Sequence, residues 1–258
     1  KEERKNIITN YEYSIFKESF NISSYYLKYV WDNTRQLSGN RTYIEYLVAP
    51  NINNNDFIFD KISVDSRNYI RLSYKSKVML ASRIFIGASR GRDARVFGIG
   101  GSGHNNTFFH SDNTLINPEY KANIMTGTEY KYLSMNNFQY PVRGYNVAQK
   151  YGKNTLILNM ELRLPLLIYY FPAIKYFGQI FGVIFVDAGV AWNDIYPSFS
   201  NKDNWDISKS GGWIMSCGIG PRFNLFGIPW KLDYAWQYNP YDGIKSSKNW
   251  YLSIGFDF

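Results

Sequence analysis

The sequence predicts an all-β protein, an antiparallel transmembrane β-barrel, on three observations. The first is the stretch 155–164. Leu156, Leu158, Met160, Leu162 and Leu164 share one face, while Thr155, Asn159, Glu161 and Arg163 share the other. Only Ile157 breaks the polar face. A period of two with one apolar face reads as a β-strand between grease and water, the grease being either a protein core or lipid. The second is composition. The chain has 23 Tyr, 18 Phe and 7 Trp, and only 19% charged residues, below the roughly 25% of a soluble domain. It has no run of about 18 apolar residues, so no transmembrane helix is expected. Membrane barrels evade hydropathy because only alternate residues are apolar. The third is arginine on the inward faces of two neighbouring strands: Arg67 and Arg71, then Arg83. A watery lumen tolerates them, whereas in a dry core each buried charge needs a partner.

The elements follow in order. Residues 1–22 are weakly patterned, with 7–16 a strand or a turn of helix. Strand 23–31 sets Tyr25, Leu27, Tyr29 and Trp31 on one face. Strand 41–48 alternates through Thr42, Ile44, Tyr46 and Val48. Strand 57–74 turns Ser63, Asp65, Arg67, Tyr69, Arg71 and Ser73 inward and Ile62, Val64, Ile70, Leu72 and Tyr74 outward. After a short turn at Lys75 and Ser76, strand 78–88 puts Val78, Leu80, Ile84 and Ile86 outward and Arg83 inward. Residues 90–153 then run without clear alternation. Such length in a compact domain marks a functional or disordered segment.

Strand 155–164 is followed by an aromatic-rich connection, 166–179. Strand 180–192 places Ile180, Ile184, Val186, Val190 and Trp192 outward, and 193–210 reads as a polar loop. In strand 213–225, Trp213, Met215, Cys217, Ile219, Phe223 and Leu225 face outward, and Ser216, Arg222 and Asn224 inward. Gly227 and Pro229 make a tight turn into strand 230–238, where Trp230, Leu232, Tyr234, Trp236 and Tyr238 oppose Lys231, Asp233 and Gln237. A loop at 239–248 leads to strand 250–258, with Trp250, Leu252, Ile254, Phe256 and Phe258 outward. Nine strands are expected, with a tenth near 7–16. Connections alternate between long and short, as in barrels with short periplasmic turns and longer external loops; the connection 166–179 fits that alternation least well. With Phe258 in the periplasm, the long connections lie outside.

The formal net charge is +8, consistent with a solvated surface or with attraction to anionic headgroups and acidic partners. The basic residues are scattered rather than gathered into a stripe, which argues against nucleic acid. The single cysteine, Cys217, cannot form an internal disulfide and reads as a packing residue. The run of Gly98, Gly100, Gly101 and Gly103 lacks the lysine and helix of a phosphate loop. His104 and His110 are weak metal ligands, and nothing fixes Ser102, His104 and Asp112 as a triad. Glu161 and Asp187 read better as partners of an arginine than as a catalytic pair. No cofactor or metal is implied, and no enzymatic activity is expected.

Several runs carry a resemblance. Val142-Arg143-Gly144-Tyr145 is followed by Gly152, by Glu161-Leu162-Arg163-Leu164-Pro165, and by Phe185-Val186-Asp187-Ala188-Gly189 with Trp192. Together they resemble the bacterial surface antigen family of outer-membrane β-barrels, the group of BamA, TamA and the two-partner secretion transporters. The run from Gly220 to Pro229 resembles members with a TolB-like propeller before the barrel. The resemblance spans about residues 23–258. It implies a sixteen-stranded barrel, of which residues 1–258 would form the C-terminal nine to ten strands, and an external loop, 90–153, folding into the lumen. It implies that Arg143, flanked by Gly144 and Tyr145, contacts Asp187 with Glu161 nearby. An arginine fork matches a carboxylate bidentately, and glycine at 144 permits a tight turn. The aromatic-ended final strand, with Trp250, Leu252, Ile254, Phe256 and Phe258, resembles a barrel-insertion signal. The implied location is the bacterial outer membrane. The implied partners are outer-membrane lipid, lipopolysaccharide and other outer-membrane or periplasmic proteins. The implied function is protein assembly or translocation. The alternatives are a barrel that anchors a complex without transport and a surface enzyme with its site in 91–137.

Overall fold

The computed structural model describes residues 22–34, 38–52, 55–73, 77–101, 107–110, 141–146, 148–165, 180–225 and 228–254. Its strands are β1 (Tyr25–Asp32), β2 (Gly39–Ala49), β3 (Phe59–Arg71), β4 (Met79–Arg90), β5 (Phe97–Ile99), β6 (Thr107–His110), β7 (Lys150–Gly152), β8 (Asn154–Pro165), β9 (Phe181–Trp192), β10 (Gly212–Leu225), β11 (Ile228–Asn239) and β12 (Gly243–Ile254). Ten of them form one sheet in the order β1-β2-β3-β4-β8-β9-β10-β11-β12-β6, and β5 pairs with β7. Each neighbouring pair is antiparallel. No helix among the described residues is long and apolar enough to cross a membrane.

The nine expected strands are all present; burial alternates along β4, β8 and β9, whereas every residue of β1 is exposed. On β8, Asn159 and Glu161 are 1% and 2% exposed, whereas Leu158 and Met160 are 40% and 50% exposed. Burial is inverted relative to a soluble sheet: the polar face is enclosed and the greasy face lies open. The same holds on β4, where Arg83 is buried while Ile84 and Ile86 are exposed, and on β9, where Asp187 is buried while Ile184 and Val186 are exposed. A row of apolar side chains open on one flank matches a lipid-facing barrel wall.

The inner face is not uniformly polar. Ile157, the exception to the β8 pattern, is fully buried in a cluster with Phe85, Phe97, Ile99, Val142, Tyr145, Ala191 and Ile214. This cluster joins the wall to the segment between β4 and β8. Phe97 meets Phe85 edge-on at 6.0 Å, and Lys61 lies 4.5 Å over its ring. A Cβ on Gly87 would fall 2.5 Å from Phe97, so the wall is hollowed at that glycine to admit the ring.

Three expectations need correction. Residues 90–153 are not free of strands: β5, β6 and β7 lie within them. At three or four residues each, they are too short for a period of two to register. The loop expected at 239–248 is a tight turn, because β12 begins at Gly243 and Tyr238 already pairs with Ile244. Its first half is polar (Lys245, Ser246, Ser247, Lys248), which hides the alternation. The segment 193–210 is not simply polar. It carries the 3-10 turn Lys202–Trp205, and Trp205 is buried with Val190 and Trp213 on the outer face of the sheet. Val190 and Trp213 therefore point outward, as expected, but are covered. The possible element at 7–16, Tyr74, the connection 166–179, Phe256 and Phe258 lie outside the described residues.

A charge on the open face of β8 should weaken insertion. Met160→Arg is expected to lower stability in lipid by about 2–4 kcal/mol, read from urea-unfolding midpoints in vesicles. An unchanged midpoint would place this face out of contact with lipid.

Candidate functional site

The inner wall gathers acids from three strands. Inward positions supply Glu161 on β8, Asp187 on β9 and Asp233 on β11, which are 2%, 0% and 4% exposed. Burying three carboxylates is unfavourable without counter-charge. Part of the counter-charge comes from the segment 141–146, which enters against this wall. Arg143 Nε donates to Asp187 Oδ2 at 2.7 Å and Nη2 to Asp187 Oδ1 at 2.9 Å, a bidentate fork. Arg143 Nη1 donates to Glu161 Oε1 at 2.7 Å and lies 3.5 Å from Asp233 Oδ2. The backbone N–H of Arg143 donates to Asp187 Oδ2 at 3.1 Å. Only a guanidinium can serve two carboxylates at once with fixed planar geometry.

The ion pairs continue around the wall. Arg163 lies 2.9 Å from Glu161, and Arg222 lies 3.3 Å from Glu161 and 2.6 Å from Asp233. Phe185 stacks under the Arg143 guanidinium at 3.5 Å from its ring centre. Asn159 donates through Nδ2 to Asp187 Oδ1 and to the Pro141 carbonyl, both at 2.9 Å. The run 185–189 thus acts as a unit, since its odd positions face inward. Phe185 stacks, Asp187 forks, and Gly189 leaves space: a Cβ there would fall 2.8 Å from Val142.

The residues after Arg143 are held through their backbone. Gly144 has φ +91°, a conformation that an L side chain rarely adopts. Its N–H donates to the Tyr251 hydroxyl at 2.8 Å, and that hydroxyl donates to the Tyr145 carbonyl at 3.2 Å. The Gly144 carbonyl accepts from Gln237 Nε2 at 2.7 Å and from Asn249 Nδ2. Tyr145 is buried and donates its hydroxyl to the Met215 carbonyl at 2.8 Å. The other end of the segment is fixed above. Lys150, fully buried, donates from Nζ to the carbonyls of Asp206, Lys209 and Gly211, so β7 is clamped to the connection between β9 and β10.

Of the residues expected here, the structure brings together Arg143, Gly144, Tyr145, Glu161 and Asp187. Asp233, Asn159, Phe185, Tyr251, Gln237 and Arg222 join them without having been singled out. Asp233 was already legible as an inward acid on its strand, whereas Phe185 entered only as part of the run 185–189. The expected insertion-signal residues Trp250, Leu252 and Ile254 lie on β12 away from this site, on the face opposite buried Tyr251. Of the glycine run, Gly98 lies in β5, which pairs with β7, and Gly101 bridges Val142. Ser102, Gly103, His104 and Asp112 lie outside the described residues, and His110 ends β6. Among the described residues, no group of three or more His, Cys, Asp or Glu could hold a metal ion.

Comparison with known proteins gives a family and a fold. A family model described as the Omp85 superfamily domain matches residues 15–258. No curated protein matches. Among solved structures, the crystal structure of BamA from Haemophilus ducreyi lacking POTRA domains 1–3 is similar, with a TM-score of 0.53 at 16% identity. The match covers 90% of this chain and 42% of that one, so the chain spans well under half of the structure it resembles.

Truncating the arginine strands buried acids. Arg143→Ala is expected to cost about 3–5 kcal/mol. Arg143→Lys should recover only part of this, since an ammonium cannot reproduce the fork. Unfolding midpoints and the heat-resistant mobility of the folded barrel on gels check both. Full stability of Arg143→Ala would rule out the guanidinium as the anchor.

Proposed function

The chain belongs to the Omp85 superfamily, and from that premise we propose that it is the membrane barrel of a protein that assists insertion or passage of other proteins at the bacterial outer membrane. The reading is non-enzymatic. Its mechanism uses an apolar exterior, a polar interior and a loop seated inside by Arg143. The observation that carries it is the convergence of Arg143 on Glu161, Asp187 and Asp233. This contact fixes an inserted loop by electrostatics rather than by covalent linkage, and an electrostatic anchor can be exchanged when the wall moves.

The proposal extends to partners. Client or accessory proteins of the outer membrane and periplasm are the macromolecular partners, and membrane lipid with lipopolysaccharide is the surrounding solvent. Residues Gly220 to Pro229 favour the narrower affiliation with members whose barrel follows a TolB-like propeller. The second reading is a barrel that anchors a multiprotein complex without moving any client. The long segment between β4 and β8, packed on the wall by Phe97 and Ile99 as well as Arg143, is equally suited to a fixed plug.

One experiment separates the two. The full-length protein in vesicles is mixed with a urea-denatured outer-membrane barrel protein, and folding of that client is followed by protease protection. The assembly reading expects faster folding than in empty vesicles, with Arg143→Ala slowing it by roughly tenfold, the equivalent of ~1.4 kcal/mol. Equal rates with and without the protein would favour the anchor.

A further inference from the structure

The connection between β9 and β10 folds over the rim of the sheet to both sides. Inward, Ile207 packs on the Ile157 cluster. Outward, Trp205 covers Val190 and Trp213, with Leu156, Trp192 and Met215 packed against them. Five rings form one contiguous group. Trp205 and Trp213 stack at 6.0 Å with 22° between planes. Phe199 meets them edge-on at 4.9 and 5.1 Å, and Tyr196 touches Trp192 and Trp213 at 5.0 and 6.1 Å. Both buried indoles are satisfied locally: Trp213 Nε1 donates to the Pro197 carbonyl and Trp205 Nε1 to the Phe199 carbonyl, each at 2.9 Å. This is a built knob whose core is already full.

Its surface nevertheless carries three large exposed apolar side chains among the polar ones. Ile195 is 86% exposed, Tyr196 50% and Phe199 49%. Connections exposed to water normally present polar side chains, and a contiguous exposed apolar patch marks a binding surface. The occupant follows from position. The paired outward row Leu156, Val190 and Trp213 is adjacent to the rows Leu158–Ala188–Met215 and Met160–Val186–Cys217, which belong to the open lipid-facing flank. The knob begins where that flank ends. Tyr241, 45% exposed at the turn between β11 and β12, extends the patch through its hydroxyl bond to the Ser200 carbonyl. Aromatic residues with one polar end suit the boundary between headgroups and acyl chains.

Resting on the reading of the sheet as a membrane barrel, we infer that the 193–211 knob lies against the bilayer and seats Ile195, Tyr196 and Phe199 in the headgroup–acyl boundary of the outer leaflet. It is a lateral membrane anchor on one side of the barrel, not a solvent loop. The clamp of Lys150 on the Asp206, Lys209 and Gly211 carbonyls then ties this anchor to the segment that carries Arg143.

The test uses the full-length protein with Cys217→Ser, reconstituted in phosphatidylcholine vesicles. An environment-sensitive fluorophore is attached at Ile195→Cys or, as a reference on the barrel wall, at Met160→Cys. Ile195 is open enough that its replacement leaves folding intact. Both labels should emit to the blue of the free dye and resist quenching by aqueous iodide. A nitroxide near the lipid headgroup should quench the Ile195 label more than one near the chain end, with the opposite order for Met160. An Ile195 label open to iodide beside a protected Met160 label would overturn the anchor and leave the barrel standing. Iodide access at both positions would overturn the barrel reading and the anchor with it.

Discussion

A buried guanidinium must meet carboxylates or the fold does not close around it. The inner wall holds three acids, Glu161, Asp187 and Asp233, against three arginines, Arg143, Arg163 and Arg222. Two of those arginines belong to the wall; the third arrives on a segment distant in sequence. Without Arg143, Asp187 loses its bidentate partner and Glu161 its shortest ion pair, and both carboxylates stay buried. Much else serves this contact. Phe185 floors the guanidinium, Asn159 orients Asp187, and Gly189 leaves room for Val142. Tyr251, Gln237 and Asn249 hold the turn at Gly144, whose bonds to the wall are made entirely by backbone.

How much of this could be read from the chain depended on which physical signal each part leaves. The wall was legible because a membrane imposes a strict period of two on every strand that crosses it. Apolar positions of β8, β9, β10 and β11 such as Leu158, Ile184, Ile219 and Leu232 fell on the open face as expected, while Val190 and Trp213 point the same way but are covered. The polar first half of β12 was not legible, since Ser246, Ser247 and Lys248 leave no period to read. The anchor was legible only as a family pattern, because Arg143 and Asp187 are 44 residues apart and no local rule joins them. Asp233, 90 residues from Arg143, was visible as an inward acid but not as a partner. Ile157 looked like an error in an otherwise clean alternation. It is the apolar seat on which the inserted segment rests, so the break in pattern was itself the signal of a contact.

The two sides of the sheet obey different solvents, and the connection between β9 and β10 meets both. Its Ile207 joins an interior cluster while its Trp205 joins an exterior one. Tryptophan, tyrosine and phenylalanine in a segment otherwise rich in Asn, Asp, Ser and Lys read as loop by average composition. Their clustering becomes evident only when β9 and β10 stand side by side and bring Trp192 and Trp213 to the same edge.

The short strand β6 deserves a different accounting from the ionic contact. Thr107, Phe109 and His110 lie in register with Ser253, Leu252 and Tyr251 along the margin of β12, so the segment that delivers Arg143 is also stitched to the last strand by peptide groups. Ladder bonds of that kind ignore side-chain identity. A conventional alanine survey would light up the guanidinium and pass over this second attachment in silence. Only a change in the main chain itself, such as proline in place of an N–H donor, would expose it.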